Sequence, residues 1–258
     1  MDQVIRAIIF ACIIFLGMSV MFEIGRRIGR RRIEADGDVD RAGLGVVDGA
    51  LFGLVGLLIA FTFSGAATRF DVRRQLTVDE TNAIGTAWLR LDLLTTDARK
   101  EARELLKQYL DARIETYKDV TDPIATQGAI RKAQELQGRI WEVATTDGRN
   151  QSTPVSLMLL VPALNQVFDL AATQQLVTRQ HPPMIIFIML GIVSLFSALS
   201  AGYGMACTKR RSLVHMVGYP LIMAVAIYII LDLEYPRLGF ITVSDFDQAF
   251  IELRQSMN

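Results

Sequence analysis

The chain is poor in the residues on which most catalytic and metal sites depend. Its 258 residues include two histidines and two cysteines. His181 and His215 stand at the ends of different apolar segments, on opposite sides of a membrane if those segments span it, so they cannot share a metal ion. No phosphate-binding loop or nucleophile elbow is present. We therefore predict a protein that is not an enzyme and that uses no metal or cofactor.

The cysteines argue against a disulfide, and the net charge argues against a nucleic-acid-binding protein. Cys12 and Cys207 both lie in apolar segments, one near the middle of its segment and one near an end. We expect them to be buried small hydrophobic side chains and not a disulfide pair. Twenty-seven basic residues balance 27 acidic ones, so the composition predicts no nucleic-acid partner.

Long apolar segments are what the chain has in excess. Each is long enough to cross a hydrocarbon core of about 30 Å, which takes about 20 helical residues. The strong positive charge of the first segment follows the apolar run instead of preceding it, unlike a cleavable signal peptide, so we expect a retained anchor in a lipid bilayer. The segments cover residues 4–24, 44–67, 184–207 and 213–231.

Two clusters of basic residues orient these segments. One follows the first segment and the other lies between the third and the fourth. Because positive residues remain in the cytoplasm, we place residues 68–180 and both termini on the periplasmic side of a bacterial inner membrane. The topology-setting residues are Arg26, Arg27, Arg30, Arg31, Arg32, Lys209, Arg210 and Arg211.

Residues outside the membrane segments predict helices. No proline separates the second segment from residues 69–95, so one long helix continues through both. Asp122 and Pro123 mark a helix start, and Asp147 with Gly148 marks its end.

Two later segments are also helical in pattern. Residues 155–164 are nearly all apolar but include Pro162, which leaves two interpretations: a kinked core helix, or a segment that enters the membrane interface. Ser244 and Asp247 resemble a capping box that opens a short amphipathic helix.

These patterns predict an all-α integral membrane protein. Four transmembrane helices carry a helical extramembrane domain inserted between the second and the third. The predicted parts are the first helix pair with its Arg-rich loop at 1–67, the domain at 68–182, the second helix pair at 183–231, and an extramembrane tail at 232–258.

The second membrane helix carries a stripe of small residues. At 100° per residue these fall within a sector of about 100°, a pattern typical of closely packed membrane helices. We predict a helix-packing stripe formed by Gly45, Gly49, Gly53, Gly56, Ala60 and Ser64.

Phe52, Ile59, Phe63 and Phe70 form a second line beside this stripe. One interpretation is a pore-lining row whose apolar side chains gate by dewetting. The other is helix packing inside one protomer. Periodicity alone favours helix packing and leaves the pore-lining row as the alternative.

Arg69, Arg73 and Arg74 follow at the outer end of the same helix, with Asp71 among them. In a symmetric oligomer they would form a basic ring that attracts small anions. Local pairing with Asp71 and with lipid phosphates is the alternative.

Several long stretches resemble a bacterial family of membrane proteins labelled bestrophin-like. They are GLVGLLIAFTFSGAATRFD at 53–71, NAIGTAWLRLD at 82–92, LDLEYPRLG at 231–239 and FDQA at 246–249. The resemblance covers nearly the whole chain. It implies four membrane segments, a helical insertion between the second and third, and an anion channel assembled as a homo-pentamer.

Two departures from bestrophins are visible. Bestrophins line the neck with aromatic and aliphatic residues at four-residue spacing on the second membrane helix. Here only Ile59 and Phe63 keep that spacing, and Gly56 and Ala60 leave a thinner wall. Bestrophins also hold the insertion in the cytosol, whereas the basic clusters here place it outside.

Two functions follow from the sequence. The first is a homo-oligomeric, anion-permeable channel with the second membrane helix lining the pore. The second is a non-conducting membrane scaffold or sensor whose external helical domain binds a partner or envelope component.

The topology is testable with reporter fusions. Alkaline phosphatase, which is active only in the periplasm, should be active when fused after Gln127 or Asn258. The basic loops stay in the cytoplasm, so these two positions lie on the periplasmic side. A fusion after Ile33 is the control and should be inactive. A cytosol-only reporter that works at Gln127 would reverse the orientation.

Overall fold

The computed structural model describes residues 2–36, 42–118, 122–150, 155–206, 213–235 and 244–257. Within these ranges every regular element is helical, which confirms the all-α prediction. A short 3-10 turn, Leu91–Leu93, lies between α2 and α3. The α-helices are α1 (Asp2–Asp36), α2 (Ala42–Arg90), α3 (Thr96–Lys118), α4 (Pro123–Asn150), α5 (Val155–Arg179), α6 (Met184–Gly204), α7 (Leu213–Glu234) and α8 (Ser244–Ser256).

Four helical stretches of the described chain are long and apolar enough to cross a membrane. By length and composition they confirm the predicted four membrane helices and indicate a multi-pass membrane protein. The stretches are Val4–Ala35, Gly45–Leu93, Leu157–Gly204, which covers α5 and α6, and Leu213–Glu234.

The helix starts follow their sequence signals. Helix α2 runs without a break to Arg90, as the absence of proline predicts. Asp122 caps α4, because its Oδ1 accepts hydrogen bonds from the backbone N–H groups of Ile124 at 2.8 Å and Ala125 at 3.1 Å.

One predicted helix end is wrong. Helix α4 does not stop at Asp147 and Gly148 but continues to Asn150. The Asp147 carboxylate accepts a hydrogen bond from the backbone N–H of Thr95 at 3.1 Å, and Gly148 is buried within the helix. A contact distant in sequence therefore outweighs the local end signal.

Pro162 lies inside α5 without ending it. Its ring is on the exposed side, while Leu160, Leu164 and Val167 belong to the buried core. Of the two interpretations of this segment, the structure supports core packing. Helix α8 begins at Ser244, as the capping-box pattern predicts.

The chain folds as two compact units, each with its own core. In the second unit α8 packs on α3: the ring of Phe250 stacks on that of Tyr117 at 5.7 Å, and Arg254 Nε lies 2.8 Å from Asp111 Oδ1. The first unit comprises Met1–Phe70 and His181–Ile241; the second comprises Asp71–Gln180 and Thr242–Asn258.

Helices α1 and α6 are in backbone contact within the first unit. A Cβ atom on Gly202 would overlap the carbonyl oxygen of Phe22, and one on Gly25 would overlap that of Leu199. Gly29, four residues after Gly25, makes similar contacts. This is the small-xxx-small spacing of closely packed membrane helices, and the sequence analysis did not single it out.

Cys12 lies on the exposed side of α1, so its predicted burial is wrong. A hydrocarbon surrounding accepts a thiol as readily as a protein core does, since the side chain is a small hydrophobe in both. Cys207 is outside the described residues.

A buried ion pair joins α2 to α3 in the second unit. Arg113 donates from Nε to Glu80 Oε1 at 2.6 Å and from Nη2 to Oε2 at 2.7 Å, and both side chains are at most 1% exposed. Gln174 accepts from the same Nη2 at 2.7 Å and donates to Thr77 Oγ1 at 2.9 Å. Both charges are therefore hydrogen-bonded, as buried charges must be.

We expect Gly202→Ala to lower the free energy of unfolding by at least about 2 kcal/mol, because the methyl group forces two backbones apart. The measurement is a detergent denaturation curve followed by circular dichroism. Gly218→Ala on α7 is the matched control, since no described atom lies within 4 Å of the added Cβ. Equal losses for the two variants would contradict the packing role of Gly202.

Arg113→Met should cost about 3–5 kcal/mol, because it leaves the Glu80 carboxylate buried without its cation. Arg113→Met combined with Glu80→Met should recover most of that loss, since neither charge then remains. The same denaturation curves measure both. A double variant less stable than Arg113→Met would contradict the assignment of the cost to the unpaired carboxylate.

Candidate functional site

The small-residue stripe of α2 is open in the protomer. All six of its residues are exposed, and a Cβ atom on Gly45, Gly49, Gly53 or Gly56 would meet no described atom within 4 Å. The opposite side of the span carries its buried residues, Val55 among them. Within the described residues, close backbone packing occurs between α1 and α6 and not along this stripe.

The four pore-lining candidates differ in their surroundings. Phe63 is 45% exposed, and Phe52 is 38% exposed with its ring edge-on to Tyr219 at 5.9 Å. Ile59 and Phe70 are partly buried and pack against clusters of the first unit. Phe52 and Phe63 therefore reach furthest from the protomer.

The three arginines after this span have different partners. Arg74 pairs with Asp71 at 3.3 Å, which is the local pairing considered above. Arg73 is buried and donates to the backbone carbonyl of Gln180 at 3.1 Å. Arg69 donates from Nε and Nη2 to Glu234 Oε1, with the Nε distance at 2.8 Å.

Glu234 is the central group of a polar cluster that the sequence analysis missed. It is 1% exposed, holds Arg69 with Oε1, and has His181 Nδ1 at 3.6 Å from Oε2. The ring of His181 lies 4.8 Å from that of Tyr235. The sequence contained a signal for this pair. Arg69 and Glu234 end two spans that finish on the same side of the predicted membrane, and a charged side chain at a membrane boundary needs a partner.

A second polar contact lies near the start of the second span. The Ser200 hydroxyl of α6 donates to Asp48 Oδ1 of α2. One turn earlier on α6, Ser197 and the Tyr219 hydroxyl are 2.6 Å apart. These hydrogen bonds tie α2 and α7 to α6 inside the first unit.

The topology-setting arginines on α1 have unequal exposure. Arg26 is 6% exposed, and Arg27 pairs with Glu23 at 3.0 Å. The next three, Arg30, Arg31 and Arg32, are exposed. Lys209, Arg210 and Arg211 lie outside the described residues.

Tyr109 of the second unit lies in the core beside the buried ion pair. Burial, and then the charge of Glu80, raise the pKa of the Tyr109 phenol above its ordinary value, and its hydroxyl lies 3.5 Å from that carboxylate. This phenol is fully buried, so no substrate reaches it. In the described part of the chain no group of three or more His, Cys, Asp or Glu residues is placed to hold a metal ion.

Comparisons with known proteins agree with this architecture. A solved crystal structure described as that of a membrane protein aligns with a TM-score of 0.59 at 13% identity, covering 96% of this chain and 98% of that one. At this identity the likeness shows a shared fold. No curated protein matches the chain. A family model described as Bestrophin-like domain matches residues 11–246. Because that match covers most of its length, the chain belongs to the Bestrophin-like domain family.

Proposed function

We propose that this protein is a homo-oligomeric, anion-permeable channel of a bacterial inner membrane, with α2 lining the pore. The observation that carries the proposal is the open stripe of small residues on α2. Membership of the Bestrophin-like domain family supports a multi-pass membrane protein of this kind.

The stripe favours a second copy of the chain as its neighbour. Lipid tails pack equally well on large side chains, so lipid contact gives no reason for glycine at four positions. Close approach of another helix does, because dispersion contacts drive helix association in membranes. The faces of α2 outside the stripe that pack within the protomer are already occupied, for example at Val55 and Ala66.

Phe63 and Phe52 border the stripe and supply the apolar constriction of the proposed pore. Their exposure of 45% and 38% leaves both rings able to reach an axis between copies. Repeated around a symmetric ring, such side chains close a pore by dewetting. Ile59 and Phe70 would take a smaller part, since they also contact their own protomer.

Arg74 is the best candidate of the proposed basic ring. At 100° per residue it shares the face of the stripe, whereas Arg69 and Arg73 fall on the side that packs in the protomer. Its ion pair with Asp71 is exposed, and exposed pairs contribute at most about 1 kcal/mol. A ring of such residues would raise the local anion concentration. In the proposed orientation this ring and residues 71–180 lie in the periplasm.

The purified protein should conduct anions in planar bilayers, and Phe63→Ala should increase the open probability, because it removes the ring that excludes water. Single-channel recording measures this. Phe61→Ala is the matched control: Phe61 is 67% exposed on another face of the same helix, so its loss should leave gating unchanged.

Oligomer size is determined on the same samples. A well-folded oligomer that stays silent in the bilayer would refute the channel. Equal effects of Phe63→Ala and Phe61→Ala would refute the pore-lining role of Phe63.

A scaffold or sensor is the second candidate function. It is favoured by an open polar groove of about 540 Å³ between α3 and α4 in the second unit, with Asp97, Glu101, Arg139 and Glu142 among its residues. Such a mixed-charge groove suits a polar partner or envelope component. One stoichiometric partner that co-purifies with the full chain, and is lost with Arg139→Glu, would support this function.

A further inference from the structure

A cleft opens on the side of α2 away from the stripe. Its volume is about 260 Å³, and it lies between α2, the start of α6 and α7. At 100° per residue, Gly65 is about 180° from Gly56 of the stripe. Phe61 and Met189 on its rim are 67% and 43% exposed, so the cleft faces outward from the first unit. Its apolar walls include Leu58, Phe61, Ile186, Phe187 and Ile230.

One end of this cleft carries the guanidinium of Arg69, which is paired with Glu234. The Nη1 atom of Arg69 lies over Gly65, 3.3 Å from the position of a Cβ atom there. Nη2 lies 3.5 Å from the same position, but Nε and Nη2 bond Glu234, so Nη1 is the nitrogen for which no bond to that carboxylate is seen. The Arg69 side chain is 30% exposed and that of Glu234 is 1% exposed. A ligand in the cleft therefore meets the guanidinium and not the carboxylate.

The other polar side chain in the cleft wall already has a hydrogen-bond partner. Thr62 is the second polar residue of the cleft, and its hydroxyl donates to the backbone carbonyl of Leu58 at 2.7 Å. The apolar run of α2 ends two residues before Arg69, so the guanidinium stands at the depth of lipid headgroups when α2 spans the bilayer. A basic head and an apolar body at that depth fit an anionic amphiphile.

We propose that this cleft binds one anionic phospholipid of the surrounding bilayer. Its phosphate accepts hydrogen bonds from Arg69 Nη1, and one acyl chain lies between α2 and α6 against Phe61 and Ile186. Glu234 fixes the guanidinium in place, since a buried carboxylate bonded to Nε and Nη2 leaves the arginine little rotational freedom. Lipid binding and the proposed pore use opposite faces of α2, and neither depends on the other.

Native mass spectrometry of the full chain in neutral detergent tests the proposal. Phosphatidylglycerol should bind at one molecule per protomer at least about tenfold more tightly than phosphatidylcholine with the same chains, because the choline cation of phosphatidylcholine offsets its phosphate charge, whereas phosphatidylglycerol keeps a net negative charge beside Arg69. Equal affinities would mean general lipid contact and would overturn the proposal. Complete displacement of phosphatidylglycerol by millimolar inorganic phosphate would overturn it too, since the site would then bind a free anion.

Two variants locate the site. Gly65→Leu fills the cleft below Nη1 and should abolish the preference for phosphatidylglycerol, while the matched Gly218→Leu on α7, where an added Cβ atom meets no described atom within 4 Å, should keep it. Identical results for the two leucine variants would overturn the assignment.

A second variant guards against misfolding of Gly65→Leu. Arg69→Gln combined with Glu234→Gln removes both charges together, so no buried carboxylate is left unpaired. It should retain helix content and lose the preference at least about tenfold. A preference that survives in this folded variant would show that Arg69 does not hold the lipid.

Discussion

The backbone contact between α1 and α6 determines the arrangement of the first unit. Gly25, Gly29 and Gly202 let these two helices meet without side chains between them. Helix α7 packs against α1 beside them, and the core that results contains Met18, Phe22 and Ile227. Helix α2 adds to this core with one face, at Val55, and keeps the rest of its surface for other contacts. Tight packing of the other helices therefore leaves the small-residue stripe of α2 exposed.

The two units are stabilised by different means. In lipid, burial of apolar surface gives helices no reason to associate, so the first unit relies on close backbones, hydrogen bonds such as that of Ser197 with Tyr219, and the pair of Arg69 with Glu234. The second unit has a large apolar core with an ion pair inside it, the pattern of a protein stabilised by the hydrophobic effect.

The sequence predicted the helices far better than their contacts. Apolar length, the absence of proline after the second segment and the cap at Asp122 are local properties, and each was sufficient for its element. The end of α4 was wrong because Thr95, a residue distant in the chain, bonds Asp147. The partners of Arg69 and Arg113 were missed for the same reason, since Glu234 lies 165 positions away and Glu80 lies 33 away. Periodicity identified the stripe on α2 but not the glycines of α1, which are too few to form a stripe.

The bond of Arg69 to Glu234 constrains how α2 can move. These residues belong to different helices, α2 and α7, and a slide of one helical turn would separate them by about 5 Å. Breaking this pair leaves the Glu234 carboxylate buried without its cation, and the free-energy cost of that is about 3–5 kcal/mol. A piston stroke of α2 along its neighbour is therefore disfavoured, and so is a twist of α2 alone, because both motions carry the Arg69 side chain away from Glu234. A tilt that α2 and α7 make together keeps the link intact, so any rearrangement of this part of the protein should move the two helices jointly.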